Sequence, residues 1–295
     1  MDHRKGAPKE VGNKLSAKER QNVIDTACSE EFQDYPSCAI VPRLADEGIY
    51  LASESSFYRI LRSENLTVRK KKRPSKSTPV ELKAETPNSL WSWDITYLKT
   101  FVKGRYYYLY LFMDVFSRVI TGWEVHEQED KNLSSAMMAR ICREQDIQSD
   151  QLTLHADNGG PMKNATMLAV LQKLGVTESF SRPGVSNDNA FSESLFSTLK
   201  SRAGYPASFE SLDHTKEWVE RFVQWYNYEH RHSGIGYVTP MERHTGKDIE
   251  LLDKRKKLFE TAKQKHPERW SRHCKKWDRT TTVYLKRAHQ KKFTA

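Results

Sequence analysis

The chain predicts an α/β fold: a mixed five-stranded sheet with helices on both faces, preceded by an all-α module and followed by a small basic C-terminal region. Three observations carry this. The first 66 residues show capped helical periodicity and no strand-like run. From Leu90 the period switches to three consecutive runs rich in aromatic and β-branched residues. Beyond them, helical and strand-like segments alternate, which indicates a sheet covered on both faces. At 295 residues, with 37% hydrophobic and 11% aromatic content, the chain can bury a core, which excludes a wholly disordered protein.

Ser16 caps a first helix to about Cys28, with Val23, Ile24 and Ala27 on one face. A second runs from about Pro36 to Glu47, carrying Pro42 as an internal defect that can shift its start, and Gly48 breaks the chain. A third opens at Ser53, with Phe57, Ile60 and Leu61 as its apolar stripe and Arg59 and Arg62 directed elsewhere. This layout fits a helix-turn-helix module or an ordinary three-helix bundle. The adjoining basic stretch Lys70, Lys71, Lys72 and Arg73 tilts the reading toward DNA.

In the middle of the chain, Trp93–Leu98, Tyr106–Phe116 and Val119–His126 read as an antiparallel meander with turns near Gly104 and Ser117-Arg118. Next come a helix over 132–144, a strand over 152–157, a helix over 164–174, a fifth strand over 176–181, and helices over 188–202 and 212–230. Asp188 is placed to cap its helix. Trp218, Trp225 and Tyr226 are expected to pack in a core rather than stack on bases. The resulting division is 1–66 helical, 67–88 basic linker, 89–248 α/β core and 249–295 basic C-terminal region.

No apolar run approaches the ~20 residues that span a bilayer, and the polar start Met1-Asp2-His3-Arg4-Lys5 lacks a signal-peptide apolar region. Four scattered cysteines and no Cys-x-x-Cys pair point away from a disulfide framework and from structural zinc. A soluble protein of a reducing compartment is expected. The charge is unevenly spread. Residues 91–250 carry 17 Lys and Arg against 21 Asp and Glu, whereas residues 254–295 carry 15 against 3 and residues 59–76 carry 8 against 1. A solvated tail is the ordinary meaning of such runs. Here Phe259, Trp270, Trp277, Tyr284 and Phe293 interleave the last one, which suits phosphate contact with stacking or local packing and favours a nucleic-acid partner.

Three acids stand out. Asp94 lies in an apolar and aromatic strand, a costly place for a charge without a partner. Asp157 ends a strand, where open α/β sheets place ligands. Glu193 lies on a helix, leaving 35 residues between it and Asp157, with Lys200 seven further on. Each alone is ordinarily a cap, turn or solvated residue. Carboxylates converging at one end of a sheet call for compensating cations, and hard Mg²⁺ or Mn²⁺ ions suit oxygen ligands and phosphate chemistry. His155, beside Asp157, reads as a packing or supporting residue.

The strand Trp91-Ser92-Trp93-Asp94-Ile95-Thr96-Tyr97, the block His155-Ala156-Asp157-Asn158-Gly159 and the stretch Asn187–Lys200 resemble the DDE transposases and retroviral integrases. Trp225-Tyr226-Asn227, Arg231-His232-Ser233 and Gly236–Pro240 are similar to the segment just after the core in OrfB-type insertion-sequence transposases, and Ser53–Arg59 and Pro267–Ser271 extend the likeness. The resemblance implies an RNase H-like core with Asp94, Asp157 and Glu193 holding two divalent ions, Mg²⁺ or Mn²⁺, and Lys200 touching element-end DNA. It implies metal-dependent strand cleavage and 3′-OH strand transfer on double-stranded DNA, by a homo-oligomer in the bacterial cytoplasm, associated with the nucleoid. An upstream-frame partner of the OrfA type is implied too, since no heptad zipper is present. The paired His and Cys of an integrase zinc domain are missing, because Cys28 and Cys38 have only His3 upstream. A non-catalytic regulator that occupies element ends is the alternative, and a nuclease of RNA/DNA hybrids on the same fold is a third reading.

Overall fold

The computed structural model describes residues 14–33, 35–64, 66, 81–157, 165–181, 189–270 and 276–286. Its elements are α1 (Ala17–Cys28), α2 (Ser37–Asp46), α3 (Glu54–Ser63), β1 (Leu82–Ala84), β2 (Leu90–Lys99), β3 (Tyr106–Asp114), β4 (Ile120–His126) and α4 (Lys131–Glu144). Then come β5 (Thr153–Ala156), α5 (Ala165–Leu174), β6 (Thr177–Phe180), α6 (Ala190–Ser201), α7 (Leu212–Tyr228), α8 (Pro240–His244), α9 (Asp248–Lys265) and β7 (Val283–Lys286). No helix among the described residues is long and apolar enough to cross a membrane.

The chain forms two compact units. One draws on described residues within 1–72, 231–238 and 247–279; the other on those within 73–230, 239–246 and 280–295. Both are therefore discontinuous, and they cut across a linear division at 66, 88 and 248.

In the helical unit, the sequence-encoded caps form as expected. Glu19 N–H donates to Ser16 Oγ at 3.2 Å and Ser16 N–H to Glu19 Oε2 at 2.8 Å, a reciprocal box that satisfies two otherwise unpaired amides. Ser53 Oγ accepts from Ser56 N–H and starts α3. Pro42 does not interrupt α2, where it removes one helical amide donor and lies buried. Val23, Ala27, Ile40, Leu44, Phe57, Ile60 and Leu61 form the core of α1–α3, and Leu252, Phe259 and Trp277 from the C-terminal stretch join it. Residues 249–265, read from sequence only as part of a basic region, are thus mainly helix α9. Its inner face includes Arg255, fully buried, whose guanidinium reaches Asp46 at 2.7 and 2.9 Å and donates to the carbonyls of Gly236 and Tyr237. A buried cation is tolerable because its donors are met by a carboxylate and two carbonyls.

The second unit is a mixed sheet in the order β4-β3-β2-β5-β6. β2, β3 and β4 pair antiparallel, whereas β5 runs parallel to β2 and β6 parallel to β5. Alternation decides which residues face which layer. Trp91 and Trp93 on β2 and Tyr110 and Phe112 on β3 pack with Met137, Met138 and Ile141 of α4 and Met167 and Leu171 of α5. Leu109, Leu111 and Met113 pack with Leu195 and Leu199 of α6 and Val219, Phe222 and Tyr226 of α7. This is an RNase H-like core: a mixed five-stranded sheet with helices on both faces. Tyr226 is buried, and Trp218 and Trp225 pack partly buried against the same cluster. Asn227 ties α7 to β4 by accepting from Ile120 N–H at 2.9 Å and donating to its carbonyl at 3.1 Å. A two-stranded antiparallel pair, β1 with β7, was not read from the sequence.

Candidate active site

Strand register brings the first two acids side by side. In the parallel pair, Trp93 of β2 is opposite Ala156 of β5, and neighbouring strands lie ~4.8 Å apart in a sheet, so Asp94 comes level with Asp157, the residue just past the end of β5. Asp94 Oδ1 accepts from Ile95 N–H at 2.8 Å. Asp157 Oδ1 accepts from Ser181 Oγ at 2.8 Å, and that hydroxyl lies 3.3 Å from His155 Nε2. The other ring nitrogen of His155 lies 3.1 Å from Ser179 Oγ. The buried imidazole therefore steadies the serines of β6 and its border, one of which orients Asp157.

Glu193 arrives on α6, which is pinned to β2 next to Asp94. Asn189 Nδ2 donates to the Trp93 carbonyl at 3.2 Å, and Ser192 Oγ donates to Asn189 Oδ1 at 3.0 Å and lies 3.2 Å from Ser92 Oγ, whose hydroxyl can donate to it. All four residues are buried, so these bonds fix the start of the helix in a dry environment. Phe191, two residues before Glu193, lies 3.3 Å beneath the guanidinium of Arg118. Asn189, Ser192, Ser181 and Arg118 are the supporting residues that sequence reasoning missed. The signal available was the run of small polar residues around Glu193. Asn189 is also the N-cap of α6, while Asp188, the residue expected to cap it, lies outside the described residues.

The electrostatics are those of crowded acids. Burial pushes the Asp94 carboxyl up to about 7; the Ile95 amide opposes this, Asp157 and Glu193 reinforce it, and Lys200 opposes it. Partial burial, and then Asp157, raise Glu193. Lys200 is lowered by burial and by Lys99, with Asp94 acting the other way. Asp94 thus lies within the fields of Asp157, Glu193 and Lys200, and Glu193 within that of Asp157. Among the described residues, no three His, Cys, Asp or Glu side chains form a closed metal-ligand group. An excess of carboxylate oxygens against one nearby ammonium is nevertheless a donor set that fits a hard divalent cation.

Arg59 and Arg62 are exposed on α3. Arg59 lines a groove of about 630 Å³ with Lys14, Arg20, Tyr50 and Trp270, while its Nε donates to the Ser55 carbonyl. Lys70, Lys71, Lys72 and Arg73 lie outside the described residues. The aromatics of the basic tail divide in favour of packing: Phe259 and Trp277 are buried, and Trp270 stacks on Tyr50 at 5.8 Å. Phe293 lies outside the described residues. Part of the tail's positive charge is likewise engaged, in Arg255–Asp46, Arg269–Glu19 and Arg279–Asp248 pairs.

Residues 84–186 match one family model of the integrase core domain, and residues 174–240 match a second of the same description. The transposase for insertion sequence element IS904 of Lactococcus lactis subsp. lactis (strain IL1403) is 32% identical over 161 residues, covering 54% of this chain and 62% of that protein. The putative transposase InsK for insertion sequence element IS150 of Escherichia coli (strain K12) is 28% identical over 162 residues, covering 55% and 56%. Each match thus spans less than two thirds of the relative's own length. Among solved structures, the simian T-cell lymphotropic virus intasome in complex with PP2A regulatory subunit B56 gamma aligns over 74% of each chain, with 16% identity and a TM-score of 0.46.

Proposed function

We propose, since this chain belongs to the integrase-core family of insertion-sequence transposases, that it cuts DNA strands at the ends of a mobile element and joins the freed 3′-OH to a second phosphodiester. The observation that carries the reading is the register Trp93 opposite Ala156, which sets Asp94 of β2 beside Asp157, just past the end of β5, near a helix bearing Glu193.

Asp94, Asp157 and Glu193 would hold Mg²⁺ or Mn²⁺, two ions per site. Bound divalent ions supply positive charge against the negative charge that develops on phosphate during in-line displacement. Ser181 keeps Asp157 in one orientation, and the Asn189 and Ser192 bonds hold α6 so that Glu193 stays beside β2. Lys200 sits on the same helix, two turns on, and contacts a DNA phosphate. In the first step water attacks phosphorus, the bond to the 3′ oxygen breaks, and a 3′-OH end is released. In the second, that 3′ oxygen attacks another phosphodiester, whose own P–O bond breaks. One phosphodiester is exchanged for another in this second step, and neither step needs a protein nucleophile.

Helices α1–α3, with Arg59 and Arg62, act as a helix-turn-helix reader of element ends. The linker residues Lys70, Lys71, Lys72 and Arg73 and the basic C-terminal region add phosphate contacts. The active form is a homo-oligomer on double-stranded DNA, working with or fused to an upstream-frame protein in the nucleoid.

The test uses a labelled duplex of the element end with the purified chain, alone or fused to its upstream frame. Nicking and strand joining are expected with Mg²⁺ and lost in Asp157→Asn. Full activity surviving that change refutes the triad. Binding without nicking in every divalent metal supports the non-catalytic regulator instead.

A further inference from the structure

The hairpin joining β2 and β3 projects an exposed tip. Residues 101–106 are all exposed, with Phe101 at 65% and Val102 at 55%, large values for apolar side chains. Basic Lys99, Lys103 and Arg105 surround them and are exposed too. Among the described residues none of these three has an ion-pair partner. No acidic residue occurs in the chain between Asp94 and Asp114, although residues 91–250 as a whole carry more acids than bases. The hairpin is therefore basic along its own sequence, with Glu129 engaged by Tyr97 at its root.

It is also rigid. Arg105 N–H donates to the Val102 carbonyl at 3.0 Å, closing a turn whose Gly104 has φ +83°, a conformation costly for other residues. Thr100 Oγ1 accepts from Val102 N–H at 3.3 Å. Phe209 N–H donates to the Lys99 carbonyl at 2.8 Å, buttressing the hairpin's root from a third segment. A stiff, charged projection loses little entropy on engaging a partner.

We propose that this hairpin is a backbone grip for duplex DNA: Lys99, Lys103 and Arg105 contact phosphates of the strand that leads away from the carboxylates along β2, and Phe101 and Val102 pack against its sugars. The assignment rests on the strand-transfer reading for the DNA's path. Charge complementarity chooses the occupant, because protein-docking patches are depleted in Lys at their centre whereas DNA contacts are built from it. Lys99 also links the hairpin to the site, since it lies close enough to Lys200 for each to feel the other's charge. At ~3.3 Å per residue Lys99 is ~17 Å beyond Asp94 and the tip ~25 Å, which at ~3.4 Å per base pair corresponds to contacts about five to seven base pairs from the cut.

The experiment measures binding of the full chain to an element-end duplex without divalent ions, from 50 to 200 mM salt. Each phosphate contact contributes about 0.9 to the slope of log affinity against log salt, so Lys99→Ala/Lys103→Ala/Arg105→Ala should flatten it by about 2.7. Across that salt range the variant should lose about 40-fold less affinity than the native chain. Each single change should flatten the slope by about 0.9, which keeps the test open should the triple variant fold poorly. A photo-crosslinking residue at position 101 should attach to DNA about five to seven base pairs from the cut. An unchanged slope, or a crosslink that joins two protein chains instead, overturns the grip. Nicking with an unchanged slope overturns the grip alone; a flattened slope in a chain that never nicks DNA supports the grip and overturns the strand-transfer reading. A native chain that binds no DNA overturns both.

Discussion

Asp94→Asn should stabilise the protein at neutral pH while abolishing its activity. In the folded chain the Asp94 carboxyl rises from 3.8 to about 7, chiefly through burial, with Asp157 and Glu193 adding to it. Between pH ~4 and ~7 the folded state therefore keeps a proton that the unfolded state has released, so stability falls as pH rises, by up to ~1.4 kcal/mol per unit. Above pH ~7 the full cost, ~4 kcal/mol as an upper figure, is present. Asparagine removes the ionisation and retains an oxygen able to accept the Ile95 amide. Urea unfolding from pH 4 to 8 without divalent ions, followed by the fluorescence of the sheet tryptophans, should show the variant's advantage growing from near zero to several kcal/mol. Adding Mg²⁺ at pH 8 should recover stability in the native chain, ~2.7 kcal/mol at a hundredfold excess over Kd, and much less in the variant. A variant no more stable than the native chain at pH 8, or one with the same pH slope, refutes the argument that crowded, buried carboxylates await a cation.

Two further changes probe the scaffold. Asn189→Ala removes the Asn189 donor to the buried Trp93 carbonyl and one of the two partners of Ser192 Oγ, so unfolding should register a loss of about 1–3 kcal/mol. Its cleavage rate should fall more than its DNA affinity, and equal losses in both would count against a positioning role for Asn189. Gly122→Ala puts a methyl group against the side chain of Ile141 across the β4–α4 contact. A cost of about 1–3 kcal/mol in urea unfolding is expected, partly relieved by Ile141→Val, and a neutral Gly122→Ala would refute the close approach.

Local chemistry was readable wherever it acts over a few residues. Ser16 and Ser53 cap helices because a hydroxyl can meet an amide two or three residues on, and the β2–β4 meander arises from short turns between β-rich runs. Helix α9 escaped because its inner face places Arg255 where an apolar residue is expected, and its partners lie outside the helix: Asp46, 209 residues away, and the carbonyls of Gly236 and Tyr237. Strands β1 and β7 escaped because three- and four-residue strands about 200 positions apart carry almost no local signal. The tail's tryptophans left stacking and packing both open, and tertiary contacts with Tyr50 and Phe259 favour packing.

By itself, then, the sequence determined the kind of core, the identity of the candidate acids and the excess of positive charge in its flanks, since residue type, spacing and periodicity are properties of the chain alone. Only the tertiary structure decided that Trp93 faces Ala156, that Asn189 and Ser192 lock Glu193's helix to β2, and which cations are spent on internal pairs. Those outcomes depend on non-local register and burial, where a carboxylate's partner can be sixty or two hundred residues away and its field, not its neighbours in sequence, sets its chemistry.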